Sequence, residues 1–363
     1  MAQRYVLLVV AATLASVVLA LQPDNDIETI RERLAAAVLE ESAHSDDPEQ
    51  QTAVAQRLSS LTADRQWPDI DYASRNRSRW LAVGHLQRVR DMAIALRSPG
   101  ASEAEKSRLL SAIEAALGYW LERDFQSPNW WWNEIGVPRL MSQILLLAGD
   151  ALPPNQTAAM IRILTRSTLK GSGQNLVWQA ENNLVRGLFQ QDSALVREAL
   201  GAVTRTITTT RKEGIKPDLS FHQHGPILYS GGYGLGFSVD TARLACATSG
   251  TRFALPDKQI ELLARYILDG QQWMTYADVF DYTAVGREIA RRNKNARILA
   301  RACDFMARFP DGNGHGHQPY RWRGCRVDRT GYGFDGSFIR RLCWCYTIRA
   351  CVRQNADDQR DYE

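Results

Sequence analysis

The 363-residue chain has no C-x-x-C pair among its six cysteines, which argues against a structural zinc site built from closely spaced thiolates. Nor does its N-terminal apolar run, residues 6–21 of "MAQRYVLLVVAATLASVVLALQ", reach the ~20 residues of a membrane-spanning helix. With one arginine ahead of it and small residues near Ala20, it has the form of a secretory signal. Residues 1–21 are therefore expected to direct export, with no stable membrane anchor. Charge of one sign is not in excess: 44 Lys and Arg against 40 Asp and Glu leave a net +4. That balance suits a soluble protein meeting a polyanion, but it does not separate polysaccharide from nucleic acid or from an ordinary basic surface. Sustained period-two alternation is also missing before about residue 310, which argues against a sheet-based core.

What the chain does have is helical period. Apolar residues recur at three- and four-residue intervals in "IETIRERLAAAVLEE", "RWLAVGHLQRVRDMAIAL" and "EKSRLLSAIEAALGYWLERDF", and again in "NQTAAMIRILTRSTL", "NLVWQAENNLVRGLF" and "KQIELLARYILDGQQWM". Breakers such as "GDALPPN", "KGSGQ" and "KEGIKPD" separate them. The pattern predicts an all-α stack of helical hairpins over residues 22–310, and helices of similar length with alternating short and long loops fit a toroid better than a four-helix bundle. Cys246 and Cys303 sit alone within helical patterns and are expected in the core. Past Pro310 the chain is rich in Arg, Cys, Trp and Gly without a sustained period, so residues 311–363 are read as an irregular tail. Cys325, Cys343, Cys345 and Cys351 fall there, where export would permit disulfides. The tail's "GHGH", with His315 and His317, reads as solvated loop more readily than as a metal chelate.

Polar and aromatic residues gather in the long loops, where a rigid scaffold commonly carries its functional groups. In "NWWWNEIGVPR" three adjacent tryptophans cannot all face one core, so at least one is expected at the surface. There it either presents a flat apolar face to a sugar ring or locks the loop down. Asn175, in "GSGQNLVW", is either a helix N-cap or an amide available to a carboxyl group. In "SFHQHGPILYSGGYG", Pro226 and the glycine pair allow a tight reversal that can bring His224 to Tyr233. Tyr233 also precedes a helical pattern whose positive end favours a phenolate. A tyrosine ionises near ~10, so positive neighbours or hydrogen bonds must act on it before it can take a proton near neutrality. In "AVGREIARR", Arg287 and Arg291 share a face if the segment is helical and could grip a carboxylate or sulfate, or form ion pairs with Glu288 and Asp281.

Taken in order, Asn129, Trp130 and Trp131 with Asn133 to Pro138, Gly173 to Asn175, Gln223 to Pro226 with Tyr233, and Gly286 to Arg291 resemble the α-domain motifs of polysaccharide lyase family 8. This family includes chondroitin AC, hyaluronate and xanthan lyases. The resemblance spans roughly residues 125–295 and implies an incomplete α/α toroid whose cleft cuts uronate-containing chains by β-elimination. It implies that Tyr233 removes the C5 proton and returns one to the glycosidic oxygen, with His224 assisting or acting as base for some epimers. Asn175 would help neutralise the substrate carboxylate, and Arg287 would hold Tyr233 in its reactive ionisation or bind the leaving oxygen. Asn129, Trp130, Trp131 and Arg291 would bind substrate, and Trp132 is left without a role. The implied partner is an acidic polysaccharide met outside the cytoplasm by a monomer, with no nucleic acid, metal or other cofactor. Relatives continue into large β-sheet domains, one of which supplies a glutamate beside the arginine. No counterpart is legible here, and residues 311–363 read as a truncated or out-of-frame ending.

Two rival readings remain at this stage: a non-catalytic carbohydrate-binding remnant, and a glycoside hydrolase on the same scaffold. Hydrolysis calls for two carboxylates flanking the bond. Asp218, Asp240 and Glu134 are available, but the loops single out no pair.

Overall fold

The structure, a computed structural model, describes residues 25–43, 48–276, 279–290, 296 and 298–308. The expected signal segment, Arg291, His315, His317, Cys325, Cys343, Cys345, Cys351 and the rest of the tail lie outside the described residues.

Among the described residues the chain forms eleven α-helices: α1 (Asn25–Ala43), α2 (Pro48–Ser60), α3 (Gly84–Leu96), α4 (Glu103–Arg123), α5 (Val137–Ala148), α6 (Pro154–Leu164), α7 (Gly173–Gln190), α8 (Ser193–Thr206), α9 (Tyr233–Thr248), α10 (Asp257–Arg265) and α11 (Ile298–Ala307). Local chemistry sets the ends. Ser102 caps α4 by accepting from the Glu105 amide, and Asp192 caps α8 by accepting from Ala194 and Leu195. Asp124 and Gln191 turn left-handed to close α4 and α7.

Consecutive helices pair, α3 with α4, α5 with α6 and α7 with α8. The first members form an inner row in which α3 packs on α5, α5 on α7 and α7 on α9. N-terminal helix α1 crosses α5, α7 and α9, and α11 lies against α9. This all-α arc of paired helices is the architecture that the periodicity predicts.

Burial follows the row. Nearly every residue of α5 and α9 is buried, as inner helices require, whereas α8 buries one stripe through Leu195, Val196, Ala199, Leu200 and Val203. Each fully buried Leu, Ile or Phe contributes about 1.5–3 kcal/mol. Inner helix α7 is unusual in burying polar residues, among them Gln174, Asn175, Gln179, Glu181, Asn182 and Asn183. Most such groups are paired in folded proteins. Asn182 Nδ2 donates to Ser167 Oγ at 2.9 Å and Asn183 Nδ2 to the Gln179 carbonyl at 2.8 Å. Cys303 lies in the core, and Cys246 packs half-buried against it.

Strand structure among the described residues consists of two antiparallel two-residue ladders and isolated bridges of Thr209 with Ile215 and His222 with Leu228. β1 (Gly214–Ile215) pairs with β2 (Phe221–His222), and β3 (Thr275–Tyr276) with β4 (Val279–Phe280). Both tie down loops that feed the site.

Fully buried His85 on α3 sits among Trp67, Tyr119 and Trp120, with ring centroids 4.8–5.7 Å away. Its Nε2–H donates to the Ala116 carbonyl at 2.8 Å, leaving Nδ1 to accept from the Tyr72 hydroxyl at 2.9 Å. Burial lowers its pKa to about 4. Because the folded value lies below the unfolded one, the neutral ring's contribution is complete above about pH 6.5 and is lost as the pH falls towards 4. The loss is of order 3 kcal/mol. Urea denaturation at pH 7 and pH 4.5 is expected to show a smaller acid-induced loss for His85→Gln than for the unmodified chain. Equal losses would contradict this assignment.

Candidate active site

The tryptophan segment is not a loop. Trp132–Gly136 forms a π-turn running directly into α5, so the three indoles diverge around a helical start. Trp130 is 49% exposed, while Trp131 and Trp132 are half-buried. Trp132 faces Trp80 and packs against the core, which supplies the structural role that the sequence left blank. Asn129 commits both ends of its amide to backbone: Nδ2 donates to the Arg77 carbonyl at 3.0 Å and Oδ1 accepts from the Trp131 amide at 3.1 Å. It therefore shapes the turn that presents Trp130. Asn133 does the same with Ser127.

Asn175 is the third residue of α7, and Ser172 occupies the N-cap position. The N-cap alternative thus fails. Asn175 is 9% exposed, and its Oδ1 has no hydrogen-bond partner among the described residues. One turn on, Trp178 shares its helix face. The Trp178 ring lies 5.6 Å from that of Tyr233, and Trp131 meets Trp178 edge-on at 5.5 Å. A line of rings thus runs from the exposed tryptophan segment to the tyrosine.

Tyr233 is the first residue of α9, as its place before the helical pattern predicts. His224 stands edge-on to it, with centroids 4.9 Å apart at 88°. Tyr229 lies 4.9 Å from Tyr233 on another side. Arg287 Nη2 is 2.6 Å from His224 Nε2. A guanidinium only donates, so Nε2 accepts, the imidazole is neutral and its proton sits on Nδ1. Burial lowers the His224 pKa and Arg287 lowers it further, against an opposing pull from Glu213. Tyr229 goes the other way: burial and Glu288 raise its pKa, while Arg287 opposes them.

The glycines beside Tyr233 serve close approach more than free reversal. A Cβ on Gly234 would fall 2.7 Å from both Phe221 Cβ and the Tyr266 hydroxyl. Gly286 has φ +54°, and a Cβ there would meet the Tyr229 ring at 2.3 Å. Arg287 follows on a 3-10 turn, Gly286–Glu288.

His224, Tyr233 and Arg287 thus form one cluster, and Trp178, one turn from Asn175 on α7, packs against its tyrosine. Sequence reasoning missed Tyr229 and Trp178. Trp178's spacing of three from Asn175 was the available signal. It also missed Arg139, whose guanidinium lies 5.4 Å from the Trp178 ring and donates to Asp240 at 2.8 Å. Two of the three carboxylates noted for hydrolysis, Asp240 and Asp218, are taken up by structural partners. Asp240 accepts from Gln174, Trp178, Arg139 and Arg243, and Asp218 binds Ser220 through backbone and hydroxyl.

A model of polysaccharide lyase family 8, N terminal alpha-helical domain, matches residues 39–315. A chondroitinase-AC of Pedobacter heparinus is 26% identical over 239 residues, 64% of this chain and 34% of its own. A hyaluronate lyase of Thermasporomyces composti is 24% identical over 315 residues, 83% of this chain and 38% of its own. Among solved structures, a chondroitinase AC lyase superposes with a TM-score of 0.72 at 22% identity, covering 78% of this chain and 42% of that one. A Paenibacillus xanthan lyase gives 0.68 at 21%, covering 79% and 29%. The structural likenesses are of fold. The chain spans about a third of the length of the curated relatives it matches.

Gly286→Ala is expected to lower folding stability by about 1–3 kcal/mol through a strained backbone and displacement of Tyr229. Thermal melting checks this, and an unchanged melting temperature would show that the ring has room to move.

Proposed function

From the premise that the chain belongs to polysaccharide lyase family 8 through its N-terminal α-helical domain, we propose that it cleaves uronate-containing polysaccharides of the chondroitin or hyaluronan type by β-elimination. Residues 22–310 are the proposed catalytic unit, and the export expected from residues 1–21 would bring it to such polymers. The observation that carries this reading is the contact of one tyrosine, at a helix N-terminus, with a neutral histidine that accepts from an arginine.

Elimination needs the proton beside the uronate carboxylate removed and the glycosidic oxygen protonated as it leaves. In the proposed assignment Tyr233 does both, since a phenolate that has taken a proton is a phenol ready to donate one. Removing that proton builds charge on the carboxylate, and cationic or neutral polar groups are needed around it. Asn175 supplies an amide whose Nδ2 can donate to that carboxylate, while its Oδ1 has no partner among the described residues. Arg287 supplies the cation. His224 cannot act as base while its Nε2 accepts from Arg287, so its role here is to orient and to donate from Nδ1. Trp130 and Trp131 provide the apolar platform for the sugar rings. Capture of Asp240 by four donors weighs against the hydrolase reading.

Incubation with chondroitin and hyaluronan, followed by ultraviolet absorbance of the unsaturated product, tests the reading. Tyr233→Phe is expected to lower kcat about 10²- to 10⁴-fold while polymer binding persists. Near-normal turnover in that variant would overturn the assignment. Trp130→Ala is expected to weaken binding of long chains roughly two- to tenfold with little change in kcat. Polymer binding without new absorbance in the unmodified chain would point to a binding remnant, and reducing ends without absorbance to a hydrolase.

A further inference from the structure

We propose that Glu213 is a positioning residue for the site, its carboxylate fastening the start of the Asn175 helix to the loop that carries His224. The inference rests on the lyase reading for what it means in catalysis, but its geometry stands on its own. Glu213 immediately precedes β1, on a segment that the catalytic assignment does not use. Its Oε2 accepts from Ser172 Oγ and, at 2.5 Å, from Gln223 Nε2, while Oε1 accepts from the Gly225 amide at 2.9 Å. Ser172 is the N-cap position of α7. Gln223 is fully buried, and its Oε1 accepts from the Gln174 amide at 3.1 Å. One carboxylate therefore holds both sides of the junction between α7 and the histidine loop.

The Gly225 bond matters most. His224 has φ +58° and Gly225 +80°, two successive left-handed residues of which only the glycine adopts that region freely. The amide that Glu213 holds belongs to the peptide joining them, so this bond fixes how that peptide is turned and hence where the imidazole points. Without it the loop is free to relax to an ordinary conformation, carrying His224 away from Arg287 and Tyr233. Burial would raise the Glu213 pKa, but Ser172, the Gly225 amide and nearby His224 bring it below the usual carboxylate value, so it is ionised at neutral pH. The charge acts on His224 in turn. The groups facing that ring are Arg287, which disfavours its protonation, Glu213, which favours it, and Tyr229 and Tyr233, with Glu288 beyond Tyr229.

Glu213→Gln keeps the size and one acceptor oxygen but removes the charge. It is expected to lower kcat about tenfold with KM within about twofold. Because the negative charge raises the His224 pKa, its removal moves the acidic limb of the pH–rate profile to lower pH. The same downward shift is expected in the His224 ring-proton titration followed by NMR, with the resonance identified by its loss in His224→Gln. A loss of kcat with both the limb and the titration unmoved would show a merely structural carboxylate, and unchanged kcat would overturn the proposal. Should the titration shift while the unmodified protein turns over no uronate polymer, the clamp stands and the lyase reading fails. If Glu213→Gln does not fold, Ser172→Ala removes one bond and keeps the charge. It is then expected to lower kcat about two- to threefold with the limb in place, and full activity would count against the clamp.

Discussion

The inner helices of the arc meet at one buried carboxylate, and the site depends on that meeting. Asp240 on α9 accepts from Arg139 on α5 at 2.8 Å, from Gln174 and Trp178 on α7 at 2.5 and 2.8 Å, and from Arg243 one turn along its own helix at 2.7 Å. Arg243 continues the network to Glu181 on α7 at 2.6 Å and to Glu41 on α1 at 3.0 Å. Burial would raise the Asp240 pKa, yet Arg139 and Arg243 hold it below the ordinary value, so the carboxylate stays charged. Glu41, further along and less well served, is pushed up by burial despite Arg243. A buried ion pair adds little net stability over an apolar contact of the same volume, but losing one partner costs about 3–5 kcal/mol. What the network contributes is therefore register between α5, α7 and α9 more than free energy.

That register reaches the chemistry through two short paths. Trp178 donates its indole N–H to Asp240, which sets the plane of the ring beside Tyr233. Gln174 gives its side chain to Asp240 and its backbone amide to Gln223, the neighbour of His224. From the other side, Tyr266 donates to the Gly234 carbonyl at 3.0 Å and accepts from Gln271 Nε2 at 2.6 Å, bracing the first turn of α9 under Tyr233. Tyr233 and the loop that carries His224 thus each have a buried polar anchor behind them. Preorganised polar groups of this kind are what a reaction that builds charge requires.

The helices were legible because an amphipathic or fully buried helix writes its period into the sequence: "RWLAVGHLQRVRDMAIAL" contains α3, and "KQIELLARYILDGQQWM" contains all of α10 but its first residue. The convergence of His224 with Tyr233 was legible from loop composition, and the helix start at Tyr233 from the pattern after it. Arg287 was legible as a candidate, but its grip on His224 Nε2 was not, because a contact between residues 63 apart leaves no periodic trace. The same holds for Asp240, whose partners come from three helices, and for Glu213. The tryptophan segment was misread as a loop because three adjacent indoles and a proline resemble a break. Pro138 instead sits where the π-turn passes into α5, and the Glu134 carbonyl one turn before it accepts from Ser167 Oγ at 2.6 Å. The glycines around Tyr233 signalled a turn correctly, but what makes them necessary is the ring of Tyr229 and the core beneath, visible only in three dimensions.

The central claim is that this cluster breaks a glycosidic bond by moving a proton, with no water added across it. Digestion of hyaluronan or chondroitin in water enriched in heavy oxygen, with product masses read directly, tests it. The account predicts oligosaccharides ending in an unsaturated uronate that carry no solvent oxygen at the cleaved bond. Saturated products with one solvent oxygen at each new reducing end would contradict it.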